Sequence, residues 1–296
     1  MKQHDNRESG LNNNEPLRID TYDYQYFSPE QSPDGELLAR QIQAQSYVNM
    51  RIVRPEGLVI LENGAQVLAP DAVNPPGYPG LVGPDTRVEY ALGVEKNATD
   101  MNPLTGRLVS WKKLYAPLDI LPTYHLCKRG ISPEGEDYLR QVASNPTMTL
   151  VETEALGKTV AAGPGVVKEF IRAEIQRALG RGEVWLMGLV HKTAYRSFVH
   201  NWGEAAVRQI GAPQRLSHAY LEDDIELIPT VIDIDAFFAN MVSDILRPDN
   251  QRSSKHLLNF LYMVEGITDD RLSKDVAAFR AQARQAVAEG NGDKSL

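Results

Sequence analysis

One stretch constrains this chain more than any other: Thr149 to Pro213. Leu150–Leu156 alternates apolar and polar residues, as a half-buried strand does. A glycine turn follows, Ala161-Ala162-Gly163-Pro164-Gly165, and then an amphipathic stretch from Val166 to Leu179. Its apolar face is Val167, Phe170, Ile171, Ile175, Ala178 and Leu179, and Gly180 and Gly182 end it. Val184–Val190 is then continuously apolar, the mark of a strand buried on both faces. A strand, a crossover helix and a buried strand predict two parallel neighbours in one sheet, joined right-handedly. Thr193–Trp202 reads as a short helix ended by Gly203, and Ala206–Gly211 as the next strand.

The flanks fill in an α/β domain. Residues 1–33 are polar and read as a flexible tail, although Tyr22, Tyr24, Tyr26 and Phe27 have the spacing of a short docked strand. A helix is expected from Glu36 to about Arg54, and a hairpin over Gly57–Leu68 turning at Asn63-Gly64. Residues 70–85, dense in proline and glycine, read as a surface excursion or a lid. Arg87–Glu95 and Arg107–Tyr115 predict an antiparallel pair, Pro117–Thr123 a proline-bounded turn, and Ser132 a cap for a helix over 132–144. Leu227–Asp233 predicts a strand. After it come helices with apolar faces at Phe237–Leu246, Leu257–Met263 and Asp269–Ala288, the last able to pack on the body or on a second subunit. The expected division is a tail (1–33), one α/β domain (34–235) and a C-terminal helical extension (236–296).

Composition narrows the partners. The chain has 296 residues and a formal net charge of −8, which disfavours a broad nucleic-acid surface. Its single cysteine, Cys127, excludes an internal disulfide and a cysteine-rich zinc site. No HExxH spacing, Walker loop or GxSxG elbow occurs, so no metal is expected. His191 and His200 read as structural. No apolar run approaches the ~20 residues that span a bilayer, and the N-terminus lacks an apolar core segment, so a soluble cytoplasmic protein is the expectation.

Chemistry is concentrated in the central stretch. Glu152 and Glu154 lie two apart on one strand and share a face. Either they are solvated, the more economical reading, or they line a cleft where their repulsion raises one pKa toward that of a general base. The glycine turn before Val166 offers backbone N–H groups at a helix N-terminus, a place suited to an anion such as a pyrophosphate, or else an ordinary turn. Lys168, Arg172, Arg177 and Arg181 either serve an anion or form a solvated face.

The order of elements resembles the GCN5-related N-acyltransferase superfamily, nearest the autoinducer (acyl-homoserine lactone) synthase and N-acyl amino acid synthase branch. The residues that carry the resemblance are Glu152 on its strand, Gly163 and Gly165 in the turn, and Val199-His200-Asn201-Trp202-Gly203 followed by Val207–Pro213. The resemblance spans about residues 36–235. It implies a mixed twisted sheet flanked by helices, and transfer of an acyl group from an acyl-CoA or acyl carrier protein thioester to the amine of a small molecule. It places the thioester in the splay between the strands at 150–156 and 184–190, with Glu152, or Glu154 through a water, as the base. It assigns the donor's pyrophosphate to Gly163, Gly165 and Val166, and its phosphates, or an acidic carrier protein, to Lys168 and Arg172. Val160, Ala155 and Val199 stand where the family has a basic or amide residue, an arginine and a tyrosine acid. Those departures leave open a non-catalytic protein of the same fold that acts as an interaction module.

Overall fold

The computed structural model describes residues 22–73, 80, 85–95, 108–162, 165–204, 206–216, 225–247 and 253–288. Its sheet contains β1 (Tyr22–Phe27), β4 (Arg87–Glu95), β5 (Val109–Tyr115), β6 (Thr149–Lys158), β7 (Glu183–His191), β10 (Ile225–Asp233) and β8 (Arg208–Gln209), in that spatial order. A short β9 (Gln214–Leu216) also pairs with β10. The hairpin of β2 (Leu58–Ile60) and β3 (Gln66–Leu68) stands apart, turning at Asn63 and Gly64 as the dipeptide predicts.

Among the described strands, β6 and β7 are the parallel pair and every other pairing is antiparallel. The helix between them, α5 (Val166–Ala178), is the crossover. It forms because its apolar residues recur at helical spacing, and Phe170, Ile171, Ile175 and Ala178 are all buried. Each large side chain among them contributes about 1.5–3 kcal/mol by leaving water. This mixed sheet with flanking helices agrees with the fold that the resemblance implies.

Helices cover both faces. On one side lie α1 (Pro33–Asn49), α3 (Pro122–Cys127) and α4 (Pro133–Ser144), with α2 (Pro70–Val73) beside the hairpin. Ser32 and Ser132 cap α1 and α4 through the N–H groups of Gly35 and Gly135. On the other side α5 packs with α7 (Ile234–Ile245), α8 (Ser253–Val264) and α9 (Lys274–Ala288). Trp111 and Trp185 from the sheet meet Phe170 of α5 in one core that also takes in Phe237, Phe260 and Phe279. After β7, α6 (Lys192–Trp202) starts at His191, whose Nδ1 accepts from the Thr193 N–H at 3.2 Å, so that histidine caps a helix.

Three differences from the sequence expectations concern the frame. The segment expected to be tail includes β1, because Tyr24 packs edge-on against Phe170 at 5.2 Å and Phe27 stacks on Tyr90 at 6.1 Å. The expected C-terminal extension shares the main core, since α7, α8 and α9 bury their apolar faces against α5 and the sheet. The expected strand at Ala206–Gly211 pairs only at Arg208 and Gln209, because the longer run of β10 takes the place beside β7. Most of the proline-rich loop at 70–85, and with it the lid expectation, lies outside the described residues.

Candidate active site at the strand fork

The two parallel strands stay together for only four register pairs, Thr149–Glu183 through Glu152–Leu186. Beyond Glu152 no described residue of β6 pairs with β7. Two irregularities drive them apart. On β6 an extra residue enters opposite Trp111, between the partners of Ser110 and Lys112. On β7 the register against β10 shifts between Pro229 and Val231, and there Gly188 adopts φ +69°, a conformation that glycine tolerates without a side-chain clash. The result is a fork whose crotch is Glu152.

Glu152 is 0% exposed, so the solvated reading of this carboxylate is corrected. Its cover is α3, in the segment expected to be a proline-bounded turn. Pro122 opens this helix, and Thr123 behind it donates twice to Glu152: the backbone N–H at 3.1 Å and the hydroxyl at 2.6 Å. Burial first, and the neighbouring Glu154 second, push the Glu152 carboxyl well above the ordinary carboxylate range. The Thr123 hydrogen bonds and Lys112 pull the other way without cancelling this.

Glu154 shares the face, as the strand period predicts. It forms an ion pair with Lys112, its register partner on β5. Both side chains are partly open, at 24% and 22% exposed. Burial works against the Lys112 cation, but Glu154 outweighs it and the lysine pKa is raised. Cys127 at the end of α3 is buried, and burial and then Glu152 push its thiol up to about 12. At neutral pH it is a thiol, which removes it as a nucleophile.

The support for α3 is explicit. The Tyr124 hydroxyl donates to Glu136 of α4 at 2.8 Å, and Arg140 donates to the same hydroxyl at 3.0 Å. The Gln214 side chain donates to the Cys127 carbonyl at 2.9 Å. Leu118, Leu121, Leu139 and Leu186 fill the space between.

On the opposite face lies a second buried charge group. Lys113 Nζ is 3.1 Å from both Glu174 of α5 and Glu183 of β7. Trp185 Nε1 donates to the same Glu183 oxygen at 2.9 Å. This group fixes α5 to the two strands of the fork.

The expected donor site is only partly in view. Gly163 lies outside the described residues. Gly165 is exposed and stands as the N-cap residue of α5, and Val166 is buried behind it. The cations expected to serve the donor have protein partners. Lys168 donates to Asn259 of α8 at 2.8 Å and lies 4.7 Å from the Tyr262 ring centre. Arg172 donates to the Glu265 carbonyl at 2.9 Å and stacks over the same ring at 4.7 Å. Arg177 makes a two-point ion pair with Glu89 and covers Tyr26, and Arg181 is exposed. Lys158, at the end of β6, donates to the Ala162 carbonyl at 3.2 Å inside the glycine turn.

Thr123, Lys112 and Gly188 were missed by the sequence reading. A register argument could have found Lys112, since it lies opposite Glu154 once the two strands are aligned. Nothing local marked Thr123. Among the described residues no group of three or more His, Cys, Asp or Glu could hold a metal, and no helix is long and apolar enough to cross a membrane.

No protein-family model matches the chain, and no curated protein matches it. Among solved structures it is similar to that of FeeM, described as an N-acyl amino acid synthase from uncultured soil microbes. The identity is 12% and the TM-score 0.42, over 74% of this chain and 94% of that one. At that distance the chemistry has to be read from this chain's own fork.

Proposed function

We propose that the protein transfers an acyl group from a thioester, an acyl-CoA or an acyl carrier protein, to the amine of a small molecule. The observation that carries this reading is the fork itself: two parallel strands that part at a buried, hydrogen-bonded carboxyl. A thioester laid between the strands meets the facing edges of β6 and β7 beyond Glu152, which no described strand pairs. N–H groups there polarise its carbonyl and stabilise the oxyanion as the amine adds. The new C–N bond forms, the C–S bond breaks, and the thiol leaves with a proton.

Glu152 accepts the proton that the attacking amine gives up, and that proton ends on the departing sulfur, which regenerates the base. Its raised pKa brings it closer to an amine than an ordinary carboxylate is, which favours that transfer. Glu154 and Lys112 set the field it works in. At the donor end, Gly165, Val166 and the Lys158 cation border the glycine turn at the start of α5, where a phosphorylated pantetheine arm would lie.

A second reading, a protein of this fold that binds without turnover, is favoured by one observation. Lys168 and Arg172 are held by α8, so two cations expected at a donor site already have partners.

The test is incubation of the purified chain with acyl-CoAs of several lengths and a panel of amines and amino acids, read by mass spectrometry. Amide product, with a rise in melting midpoint on adding CoA, supports transfer. No product from any acyl-CoA or carrier-linked acyl group, and no midpoint change, rejects it.

A further inference from the structure

We propose that Thr123 is a positioning residue for Glu152, holding its carboxyl at the crotch of the fork through two donors from one residue. This rests on the transfer reading proposed above. Glu152 is fully buried, and its carboxyl accepts from the Thr123 backbone nitrogen at 3.1 Å and from the Thr123 hydroxyl at 2.6 Å. The two donors come from backbone and side chain of the same residue, so the carboxyl plane cannot turn without losing one of them. Thr123 is itself fixed by its neighbours in α3: Tyr124 donates to Glu136 of α4, and the Cys127 carbonyl accepts from Gln214.

The opposite wall explains why this matters to the fork. A Cβ on Gly188 would lie 3.5 Å from the Thr123 hydroxyl and 3.7 Å from the Thr153 carbonyl. Gly188, where β7 departs from β6, therefore packs next to the hydroxyl that holds Glu152. The charged and titratable groups bearing on Glu152 are Glu154 on its own strand, Lys112 on β5 and Cys127 on α3. Its direct register partners, Leu114 and Leu186, carry no charge. Of the groups that favour the ionised carboxyl, Thr123 acts more strongly than Lys112.

The experiment uses the full chain with Thr123→Val, which keeps the backbone N–H and removes the hydroxyl, and Thr123→Ser, which restores it. Thr123→Ala replaces the valine variant if that does not fold. The Glu152 carboxyl is titrated by carbon NMR, with Glu152→Gln to assign its signal. Removing the hydroxyl is expected to raise the midpoint by about one pH unit, the scale of one hydrogen bond to a charged group. Serine should bring it back.

In turnover assays the acid limb of the kcat/KM profile should move by the same amount, with the donor KM unchanged. Equal midpoints in wild type and the valine or alanine variant overturn the proposal. So does a folded serine variant that fails to restore the wild-type value, or an acid limb that stays put while the midpoint moves. A wild-type chain that titrates as expected but transfers no acyl group overturns the transfer reading alone, and the hold of Thr123 on Glu152 stands.

Discussion

Lys112 and Glu154 stand directly opposite one another on β5 and β6 and close an ion pair two residues beyond the buried Glu152. Glu154 raises the Glu152 pKa and Lys112 lowers it, so their removal must act in opposite directions. Glu154→Gln is expected to bring the Glu152 midpoint down toward the ordinary range. Lys112→Met is expected to drive it further up, because Glu154 then faces Glu152 unpaired. Carboxyl titration of both variants checks this. Shifts of the same sign would remove the pair from any part in setting Glu152.

Glu152→Gln has consequences for both rate and stability. Loss of the base should slow transfer by more than about tenfold, near the low end for general-base catalysis. The stability effect follows from the raised pKa. Between the unfolded pKa and the higher folded pKa, the folded chain binds more protons, so stability falls as pH rises through that window. Glutamine lacks this proton dependence. Melting midpoints of variant minus wild type should therefore become more favourable to the variant from about pH 4.5 upward. A difference that is flat with pH would mean that Glu152 ionises as freely in the fold as in the unfolded chain.

Lys113 is 2% exposed and balances two carboxylates. Burial works against its cation, and Glu174 and Glu183 outweigh that cost and raise its pKa. Lys113→Met leaves both acids buried and uncompensated, at a cost of about 3–5 kcal/mol. The triple change Lys113→Met, Glu174→Gln, Glu183→Gln removes all three charges and should recover part of it. Urea unfolding of the two variants makes the comparison, and equal losses would contradict the balance of charge described here.

Arg172 tests what the face of α5 is for. It ties that helix to the Glu265 carbonyl and to Tyr262. Arg172→Met should lower stability by about 1.5–3 kcal/mol, the range for a hydrogen bond to a charged group. It should leave any CoA-induced rise in melting midpoint unchanged. A selective loss of that rise, with stability intact, would return Arg172 to the donor site.

The crossover unit was readable in the sequence because it depends on local pattern. Alternation in β6, a helical stripe in α5 and an unbroken apolar run in β7 each state their own burial. The state of Glu152 was not readable, because what covers it comes from elsewhere in the chain. Alternation says only that Glu152 and Glu154 share a face. Whether that face meets water depends on α3, whose six residues are too short to show a period and begin with a proline that reads as a turn. Lys168 and Arg172 mislead in the same way. Their spacing describes the polar side of a helix, and α8, which begins more than eighty residues later, covers it.

The edge strand β1 sets a limit on how the chain can be shortened. Its six residues pair with β4 from Tyr22–Glu95 to Phe27–Tyr90. A version trimmed to start at Ser32 would strip that partner away and leave the outer rim of β4 bare. Gly93, over which Tyr24 lies, would then form a flat opening on that rim. Such an exposed rim invites other chains to add on, so the trimmed protein should clump on concentration where the longer one stays dispersed.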